Sequence, residues 1–487
     1  MVFSSLEFIF IFLPVFLIIY AAATMKNKKS APKADWQLGG SKLPLNSSIN
    51  LKNLVILMGS IIFYSLGVKK PVYIVLFLLT NMLNFIVGQF IEDFPRFRKP
   101  WLIFGIAFNF WWLIFFKYWT FGTENLNILF GMSLPLKQIM LPIGISFYTF
   151  QNVSYIIDVY RKKTPAERSL INYGAYISMF PQLIAGPIVT YSTVAEQLRE
   201  RTHTIRKVED GLKTFTIGLG YKVLIANQIG GLWRDISMIG YESISSPLAW
   251  MGIFAYSFQL YFDFCGYSLM AIGLGKIMGF DLPRNFDHPY TSTTMTEFWR
   301  RWHITLGSWF REYVYIPLGG NRKGSGRLVF NSFIVWLFTG IWHGASWNFI
   351  IWGLVLFAII MSEKFVTGKF FNEHKAAGHI YMILLIPLTW LIFSITDFHD
   401  LSVYFKRLFP FIPQKTYSIL DKDYLKYLLE YKTYFIAGIL FSTRLPQKLY
   451  EKYKDTVVCN LLLLAVFWAA VYCMYRGLND PFLYFRF

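Results

Sequence analysis

Residues 328–360 read LVFNSFIVWLFTGIWHGASWNFIIWGLVLFAII, an apolar run that contains no Asp, Glu, Lys or Arg. A membrane-spanning helix needs about 20 apolar residues, so this run is too long for one ordinary span. Gly340, Gly344 and Gly353 are candidate positions for a break within it, because glycine interrupts helical patterns readily. The run predicts helices that lie in a bilayer, with His343 as a titratable side chain among apolar ones.

Apolar runs of this kind recur from one end of the chain to the other. Of the 487 residues, 55% are hydrophobic and only 15% are charged, and the mean hydropathy is +0.42. This composition lies well outside that of soluble domains. The sequence therefore predicts an all-α polytopic membrane protein with a single membrane domain over residues 1–487 and a motif-bearing core at about 138–365.

The net charge of +19 indicates membrane topology and not nucleic-acid binding. Lys and Arg lie between apolar runs, whereas a nucleic-acid-binding protein carries them on a soluble face or tail. Basic loops at 26–52, 96–99 and 161–163 are expected on the cytoplasmic side by the positive-inside tendency. Roughly eleven transmembrane helices are expected, with the first segment retained as a span. They lie near 8–23, 53–68, 71–91, 101–116, 138–160, 210–231, 247–275, 328–360, 380–395, 434–446 and 456–475.

Two further segments fit neither a span nor an ordinary loop. Residues 173–191 are apolar but contain Pro181, Gly186 and Pro187 and have basic flanks, which predicts a re-entrant segment. Residues 276–327 mix arginines with tryptophans and tyrosines, as the membrane–water interface favours, and a basic amphipathic helix is expected there.

His343 is the strongest candidate for chemistry among the seven histidines. A titratable residue inside an apolar segment is costly unless it faces a polar cavity or a partner, so it indicates a functional site. A neutral imidazole could take a proton from an attacking hydroxyl and return it later, as acyl transfer requires. A hydrogen bond to a neighbouring helix would also explain His343, and both interpretations stay open. Ser346 could act as a nucleophile beside it, but no nucleophile elbow or well-placed carboxylate accompanies it.

His303 lies four residues after Trp299, so the two would share one face if the segment is helical. His303 could line the same cavity as His343 or serve as a structural histidine at the interface. Neither histidine has a second ligand at HxxxH-like spacing, so no metal site is predicted. The three cysteines lie in apolar stretches without pairing motifs, which indicates neither disulfides nor a thiolate–metal site.

Around these histidines the sequence resembles the membrane-bound O-acyltransferase superfamily, and within it the bacterial branch that O-acetylates polysaccharides such as alginate. The resemblance covers most of the chain, although after about residue 365 only the hydropathy matches. The motifs that carry it stand in the family order. They are Phe3-Ser4-Ser5-Leu6-Glu7-Phe8, Phe180-Pro181-Gln182-Leu183-Ile184-Ala185-Gly186-Pro187-Ile188, Tyr261-Phe262-Asp263-Phe264-Cys265-Gly266-Tyr267-Ser268, Phe298-Trp299-Arg300-Arg301-Trp302-His303-Ile304-Thr305-Leu306, Tyr315-Ile316-Pro317-Leu318-Gly319-Gly320-Asn321 and Gly340-Ile341-Trp342-His343-Gly344-Ala345.

The resemblance implies that His343 and His303 are the catalytic residues. It also implies a helix bundle around a central tunnel, which a cytoplasmic thioester enters to deliver its acyl group. Acetyl-CoA is the expected donor, as a substrate and not as a permanently bound cofactor. Because arginine binds phosphate well, donor-binding candidates lie around the arginine pair and its tryptophans. These candidates are Trp299, Arg300, Arg301 and Trp342.

The expected product is an O-acetylated cell-surface polysaccharide, made by a multi-pass protein of the plasma or inner membrane. The longest polar segments, near 24–52 and 396–433, are too short for an extracellular hydrolase-like domain. The expected partners are therefore the lipid bilayer, an exported or membrane-anchored acyltransferase and a polysaccharide synthesis and export complex, without nucleic acid. The alternatives are D-alanyl transfer to teichoic acid from a carrier-protein thioester, a polysaccharide or lipid transporter, and a non-catalytic scaffold.

Overall fold

The computed structural model describes residues 2–28, 50–137, 139–184, 186–412, 422–477 and 483, and every regular element among them is helical. The α-helices are α1 (Leu13–Lys28), α2 (Leu51–Gly67), α3 (Val72–Asp93), α4 (Arg98–Phe130), α5 (Ile145–Tyr160), α6 (Leu170–Ser178), α7 (Phe180–Leu183), α8 (Tyr191–Arg199), α9 (Ile205–Gly220), α10 (Asn227–Ile239), α11 (Ser246–Ile277), α12 (Met295–Arg301), α13 (Ile304–Phe310), α14 (Ser325–His343), α15 (Trp347–Ser362), α16 (Gly368–Glu373), α17 (Lys375–Ser394), α18 (Phe398–Leu408), α19 (Asp423–Ser442), α20 (Leu445–Tyr453) and α21 (Val457–Tyr475). Short 3-10 or π-helical turns lie at Phe8–Phe12, Pro95–Phe97, Tyr221–Ala226, Tyr241–Ser243, Pro289–Thr291, Arg311–Tyr315 and Glu363–Thr367.

Within the described residues, 6 helical segments are long and apolar enough to cross a bilayer. They are Phe8–Met25, Val72–Asp93, Pro95–Phe130, Trp347–Glu373, Lys375–Ser394 and Val457–Tyr475. On α21, the large apolar side chains of Leu461, Leu462 and Trp468 are all more than half exposed, which a bilayer tolerates and water does not. The chain is a multi-pass membrane protein, and the count of roughly eleven spans stays a prediction.

Some predicted span boundaries need correction. The span predicted at 101–116 is too short, because α4 continues to Phe130; Lys117, which lies inside this helix, donates to backbone carbonyls. The helix in the span predicted at 138–160 begins later than predicted, because α5 starts at Ile145. Gly144, just before it, is in the left-handed conformation with φ of 75°. Residue 138, residues 29–49 of the predicted basic loop and residues 413–421 of the second long polar segment lie outside the described residues.

The long apolar run of residues 328–360 divides at Gly344, between α14 and α15. The prediction of breaks at Gly340 and Gly353 is wrong, because both lie inside helices. A Cβ on Gly340 would lie 2.4 Å from the Phe349 carbonyl oxygen, and one on Gly353 would lie 2.5 Å from that of Trp336. These glycines thus let two antiparallel helices pack backbone to backbone, as small residues do in membranes.

The contact pattern divides the chain into two compact units, of which unit 1 holds Met1–Ile114, Leu141–Leu212 and Gly273–Leu282. Its core contains an aromatic cluster in which Phe180 contacts Phe8, Phe16 and Phe63, with ring centroids 5.1 to 6.2 Å apart. Such aromatic pairs contribute beyond the area that they bury. The cluster therefore fixes the start of α7 against the first helices of the chain.

The predicted re-entrant segment, residues 173–191, is interrupted in the way that its prolines suggest. It contains the two short helices α6 and α7 and then a loop up to α8, with Ala185 outside the described residues. The buried Glu167 accepts a hydrogen bond from the Tyr191 hydroxyl at 2.5 Å, and its N–H donates to the Tyr155 hydroxyl at 3.0 Å. The re-entry of residues 173–191 into the membrane stays a prediction.

Unit 2 holds Phe115–Met140, Lys213–Ile272 and Pro283–Phe487. Its core packs α10, α11, α15 and α17 around fully buried side chains such as Trp352 and Trp390. A buried ion pair joins Lys222 to Asp263 with an N–O distance of 2.5 Å, and Asp263 also accepts the backbone N–H of Leu483 at 2.8 Å. A buried charge needs such partners, because desolvation would otherwise cost several kcal/mol or more.

The basic amphipathic helix expected within residues 276–327 is not present in the part that belongs to unit 2. From Pro283 on, the chain forms the turn Pro289–Thr291, the seven-residue helices α12 and α13 and the π-helical turn Arg311–Tyr315. The Thr294 side chain caps the start of α12, which ends at Arg301. His303, two residues further on, is in the left-handed conformation, so the helix does not continue. Local capping and tertiary contacts thus override the helical pattern of charges.

Candidate active site

His343 is the last residue of α14 and is 8% exposed. Its ring lies among those of Trp342, Trp352 and Phe393, with centroid distances of 4.9, 5.1 and 5.3 Å. These rings come from α14, α15 and α17, which the chain reversal after Gly344 brings together. The imidazole therefore lies in an aromatic environment from which bulk water is largely excluded.

The backbone at His343 is held by α4. Lys117 Nζ donates to the His343 carbonyl oxygen at 2.9 Å and also to the Trp342 carbonyl oxygen. These carbonyls end α14, where a helix lacks internal donors and carries a partial negative charge. The side-chain nitrogen of Lys117 thus donates to two carbonyls at once and fixes the point at which His343 leaves the helix.

Lys117 was missed by the sequence analysis, although the sequence carries a signal for it. It lies in the run Phe115-Phe116-Lys117-Tyr118-Trp119, where a titratable residue among apolar ones indicates function by the rule that selects His343. Ending the predicted span at residue 116 placed Lys117 outside it.

His303 lies in the turn between α12 and α13 and is 2% exposed. The expectation that it shares a helical face with Trp299 is wrong, because its φ and ψ of 46° and 53° are left-handed and start a new helix. A left-handed residue other than glycine costs about 1–2 kcal/mol. Burial lowers the pKa of His303 to about 3, because a charged ring would lose its hydration.

Asn285, which the sequence analysis did not single out, contacts His303 directly. It is 1% exposed, and its Oδ1 lies 3.0 Å from His303 Nδ1. The same oxygen accepts from the Thr305 hydroxyl at 2.9 Å and from the Thr305 N–H at 3.3 Å. The Asn285 carbonyl accepts the Ile304 N–H at 2.9 Å. One asparagine thus holds His303 and the two residues that follow it, and no local motif in the sequence indicates this role.

Trp342 brings the two histidines to one place. Its ring centroid lies 6.1 Å from that of His303 and 4.9 Å from that of His343. Trp299 continues the aromatic wall, because its ring lies 5.5 Å from that of Trp352, which contacts His343. Four of the predicted site residues are therefore neighbours in unit 2.

The arginine pair lies at the end of α12 and differs in its partners. Arg301 forms an ion pair with Glu297, with an N–O distance of 2.5 Å, and donates to the Thr291 hydroxyl at 2.8 Å. Arg300 is exposed and forms no ion pair among the described residues. Of the two, Arg300 has the charge that is not already compensated.

A buried carboxylate fixes the start of α12. Glu363 is 5% exposed and accepts the N–H groups of Met295 and Thr296 at 2.5 and 2.8 Å. It also accepts the Tyr381 hydroxyl at 3.2 Å. A carboxylate at a helix N-terminus satisfies orphan donors and interacts favourably with the helix dipole. Glu363 therefore positions the short helix that leads into His303.

Comparisons with known proteins identify the class to which this fold and site belong. The model of MBOAT, the membrane-bound O-acyltransferase family, matches residues 161–396. The chain is similar to "Probable alginate O-acetylase AlgI" of Pseudomonas putida, with 39% identity over 84% of this chain and 81% of that protein. It is also similar to the peptidoglycan O-acetyltransferase of Helicobacter pylori, with 34% identity over 81% of this chain and 77% of that protein. The chain is similar to the teichoic acid D-alanyltransferase of Bacillus subtilis as well, with 30% identity over 50% of this chain and 63% of that protein.

The chain belongs to the membrane-bound O-acyltransferase family. It is an O-acyltransferase in its polysaccharide O-acetylation branch, as its motifs indicate. The matched region contains both histidines and the aromatic residues between them. The two histidines are therefore candidates for the catalytic pair.

Proposed function

We propose that this protein moves an acetyl group from a cytoplasmic thioester, acetyl-CoA, across the membrane for the O-acetylation of an exported cell-surface polysaccharide. The observation that carries the proposal is similarity over more than four fifths of the chain to proteins named as O-acetylating enzymes. The meeting of His343 and His303 at Trp342 supplies a site suited to acyl transfer.

In the proposed mechanism, His343 acts as the general base. The neutral imidazole takes the proton of the acceptor hydroxyl, the oxygen attacks the thioester carbon, and the thiolate leaves as the acyl–oxygen bond forms. The proton then passes to the departing thiolate, so charge balances over the reaction. An aromatic, water-poor surrounding suits this chemistry, because water would otherwise compete as the acyl acceptor.

Donor binding is proposed for the end of α12. Arg300 supplies an exposed, uncompensated positive charge for the phosphates of coenzyme A, and Trp299 and Trp342 line the way from it to the histidines. Arg301 contributes less, because Glu297 already neutralises it. Coenzyme A acts here as a substrate, and no permanently bound cofactor is proposed.

Transfer of D-alanine to teichoic acid is the second candidate for the reaction. The similarity that supports it covers 50% of the chain at 30% identity, against 84% at 39% for the alginate O-acetylase. Acetylation is therefore the better supported function. Binding of acetyl-CoA versus a carrier-protein thioester distinguishes the two.

The proposal places the protein in the plasma or inner membrane together with a polysaccharide synthesis and export complex. The described residues outside the apolar helices form only short polar segments. An exported or membrane-anchored acyltransferase is therefore proposed as a partner. It would receive the acetyl group or present the sugar hydroxyl.

The first test is the O-acetyl content of the cell-surface polysaccharide in cells that carry His343→Ala. We expect acetylation to disappear, because the general base is removed. His379→Ala, at an exposed position of α17, is the matched control and should retain wild-type acetylation. Both variants must reach the membrane at normal abundance. Unchanged acetylation with His343→Ala would reject the catalytic assignment and favour a non-catalytic scaffold or a transporter.

A further inference from the structure

The hydrogen bonds of Asn285 define which of its two side-chain groups faces His303. The Thr305 backbone N–H lies 3.3 Å from the Asn285 side-chain atom and can only donate. The atom that it contacts must therefore be the oxygen and not the amide nitrogen. The Thr305 hydroxyl, which lies 2.9 Å from the same atom, is consistent with this orientation.

This orientation fixes the tautomer of His303. An amide oxygen cannot donate, so His303 Nδ1, at 3.0 Å, must carry the hydrogen and donate to it. In a neutral imidazole the other nitrogen, Nε2, then carries a lone pair and can only accept. Burial keeps the ring neutral, because an imidazolium would be poorly solvated there.

His303 Nε2 is buried and has no hydrogen-bond partner among the described residues. Buried polar atoms are normally satisfied, so an unsatisfied one indicates strain, catalysis or a ligand. Around this ring, Phe264 packs at right angles with a centroid distance of 4.7 Å, and Trp342 lies at 6.1 Å. The ring that carries the unsatisfied acceptor thus lies beside Trp342, whose ring also contacts His343.

The backbone around the turn supports the same arrangement. Besides the Asn285–Ile304 hydrogen bond, the Asp287 N–H donates to the Arg301 carbonyl at 3.0 Å. Two backbone hydrogen bonds therefore join residues 285–287 to residues 301–304. They offset the left-handed conformation of His303, and strain of this kind is often retained at functional sites.

We propose that Asn285 is a positioning residue that holds His303 as the Nδ1–H tautomer, so that His303 acts in acyl transfer as a proton or hydrogen-bond acceptor through Nε2. This proposal rests on the proposed function, since it assigns a role within the same site. It excludes a role in which neutral His303 donates through Nε2 to the thioester carbonyl. The group that Nε2 accepts from is an O–H or N–H donor other than the acceptor hydroxyl whose proton His343 takes.

A direct test measures the tautomer without any enzymatic assay. The full-length protein, labelled with ¹⁵N in its histidine rings and held in lipid nanodiscs, is studied by long-range ¹H–¹⁵N correlation at neutral pH. The His303 signals are assigned by their loss in His303→Gln. We expect the pattern of the Nδ1–H tautomer in the wild type and a mixture of tautomers in Asn285→Ala. An Nε2–H tautomer or an imidazolium in the wild type would overturn the proposal.

A kinetic test separates positioning from a general structural role. In Asn285→Ala we expect kcat for acyl transfer to fall about 10–100-fold with little change in KM for the donor. Asn285→Asp keeps an acceptor oxygen, and the amide nitrogen that it removes has no hydrogen-bond partner among the described residues. It should retain more activity than Asn285→Ala. The acidic limb of its pH–rate profile should move to higher pH, because a carboxylate beside His303 favours the imidazolium.

The outcomes distinguish this proposal from the proposed function. Equal losses in both Asn285 variants, with an unmoved pH profile, would contradict the positioning role even if acetyl transfer is the activity. If instead the cell-surface polysaccharide is acetylated normally without His343, the function fails while the tautomer measurement still decides the role of Asn285. If Asn285→Ala does not fold, the wild-type spectrum and the Asn285→Asp pH profile remain decisive.

Discussion

The two histidines that meet at Trp342 are fixed by different parts of the molecule. His343 ends a long helix, and Lys117 holds it through the backbone, by way of the carbonyl groups. His303 lies in a strained turn, and Asn285 holds it through the imidazole itself. A backbone contact fixes where a residue lies, whereas a contact to the ring also selects its tautomer. We infer that Asn285 restricts His303 to one constant acceptor role.

The largest effect is expected from removing the histidines, singly and together. His343→Gln and His303→Gln should each lower the rate of acyl transfer by about 10²–10⁴-fold, the usual range for general acid–base groups. If they act as one unit, the double variant should be little slower than the slower single variant. Rates are measured in membranes and normalised to the abundance of each variant. Effects that multiply would show that the two histidines act independently.

Lys117 tests the backbone half of the comparison. Lys117→Met keeps the apolar stem but leaves the Trp342 and His343 carbonyls without their donor. Because charge-assisted hydrogen bonds are worth about 1.5–3 kcal/mol, kcat should fall about 10–100-fold. Lys117→Arg should recover part of this loss. The matched control is Lys369→Met, at a side chain that is 88% exposed, and it should not change the rate. A Lys117→Met enzyme as active as this control would show that the hydrogen bonds of Lys117 do not position His343 for the reaction.

The smallest effect concerns the stability of the fold at different pH values. The pKa of His303 falls from 6.5 to about 3 by burial, and that of His203, in unit 1, from 6.5 to about 4 by burial and by the nearby Arg201. Between these values and 6.5 the unfolded chain binds more protons than the folded one, so stability rises with pH. The unfolding temperature should therefore rise less steeply with pH, between pH 4 and 7, in His303→Gln and in His203→Gln than in the wild type. An unchanged slope in His303→Gln would show that its ring is solvated.

Much of the helical organisation follows from the sequence, because a bilayer demands long apolar helices with satisfied backbones. The break at Gly344, the interrupted helices α6 and α7 and the burial of His343 all agree with the predictions. The errors at Gly340 and Gly353 have one cause. Their roles depend on which helix packs beside them, and this information is not local.

The sequence by itself determined the membrane character of the protein and singled out His343, since apolar run length and a titratable residue within such a run are local properties. The class of protein and the role of His303 followed from motifs that resemble a known family. Only the tertiary structure decided that His303 leaves the helix in a left-handed turn and meets His343 at Trp342. It also decided that Asn285 and Lys117 hold them. Their contacts span 18 and 226 residues of the sequence, and hydrogen bonds over such separations form only when packing brings distant segments together.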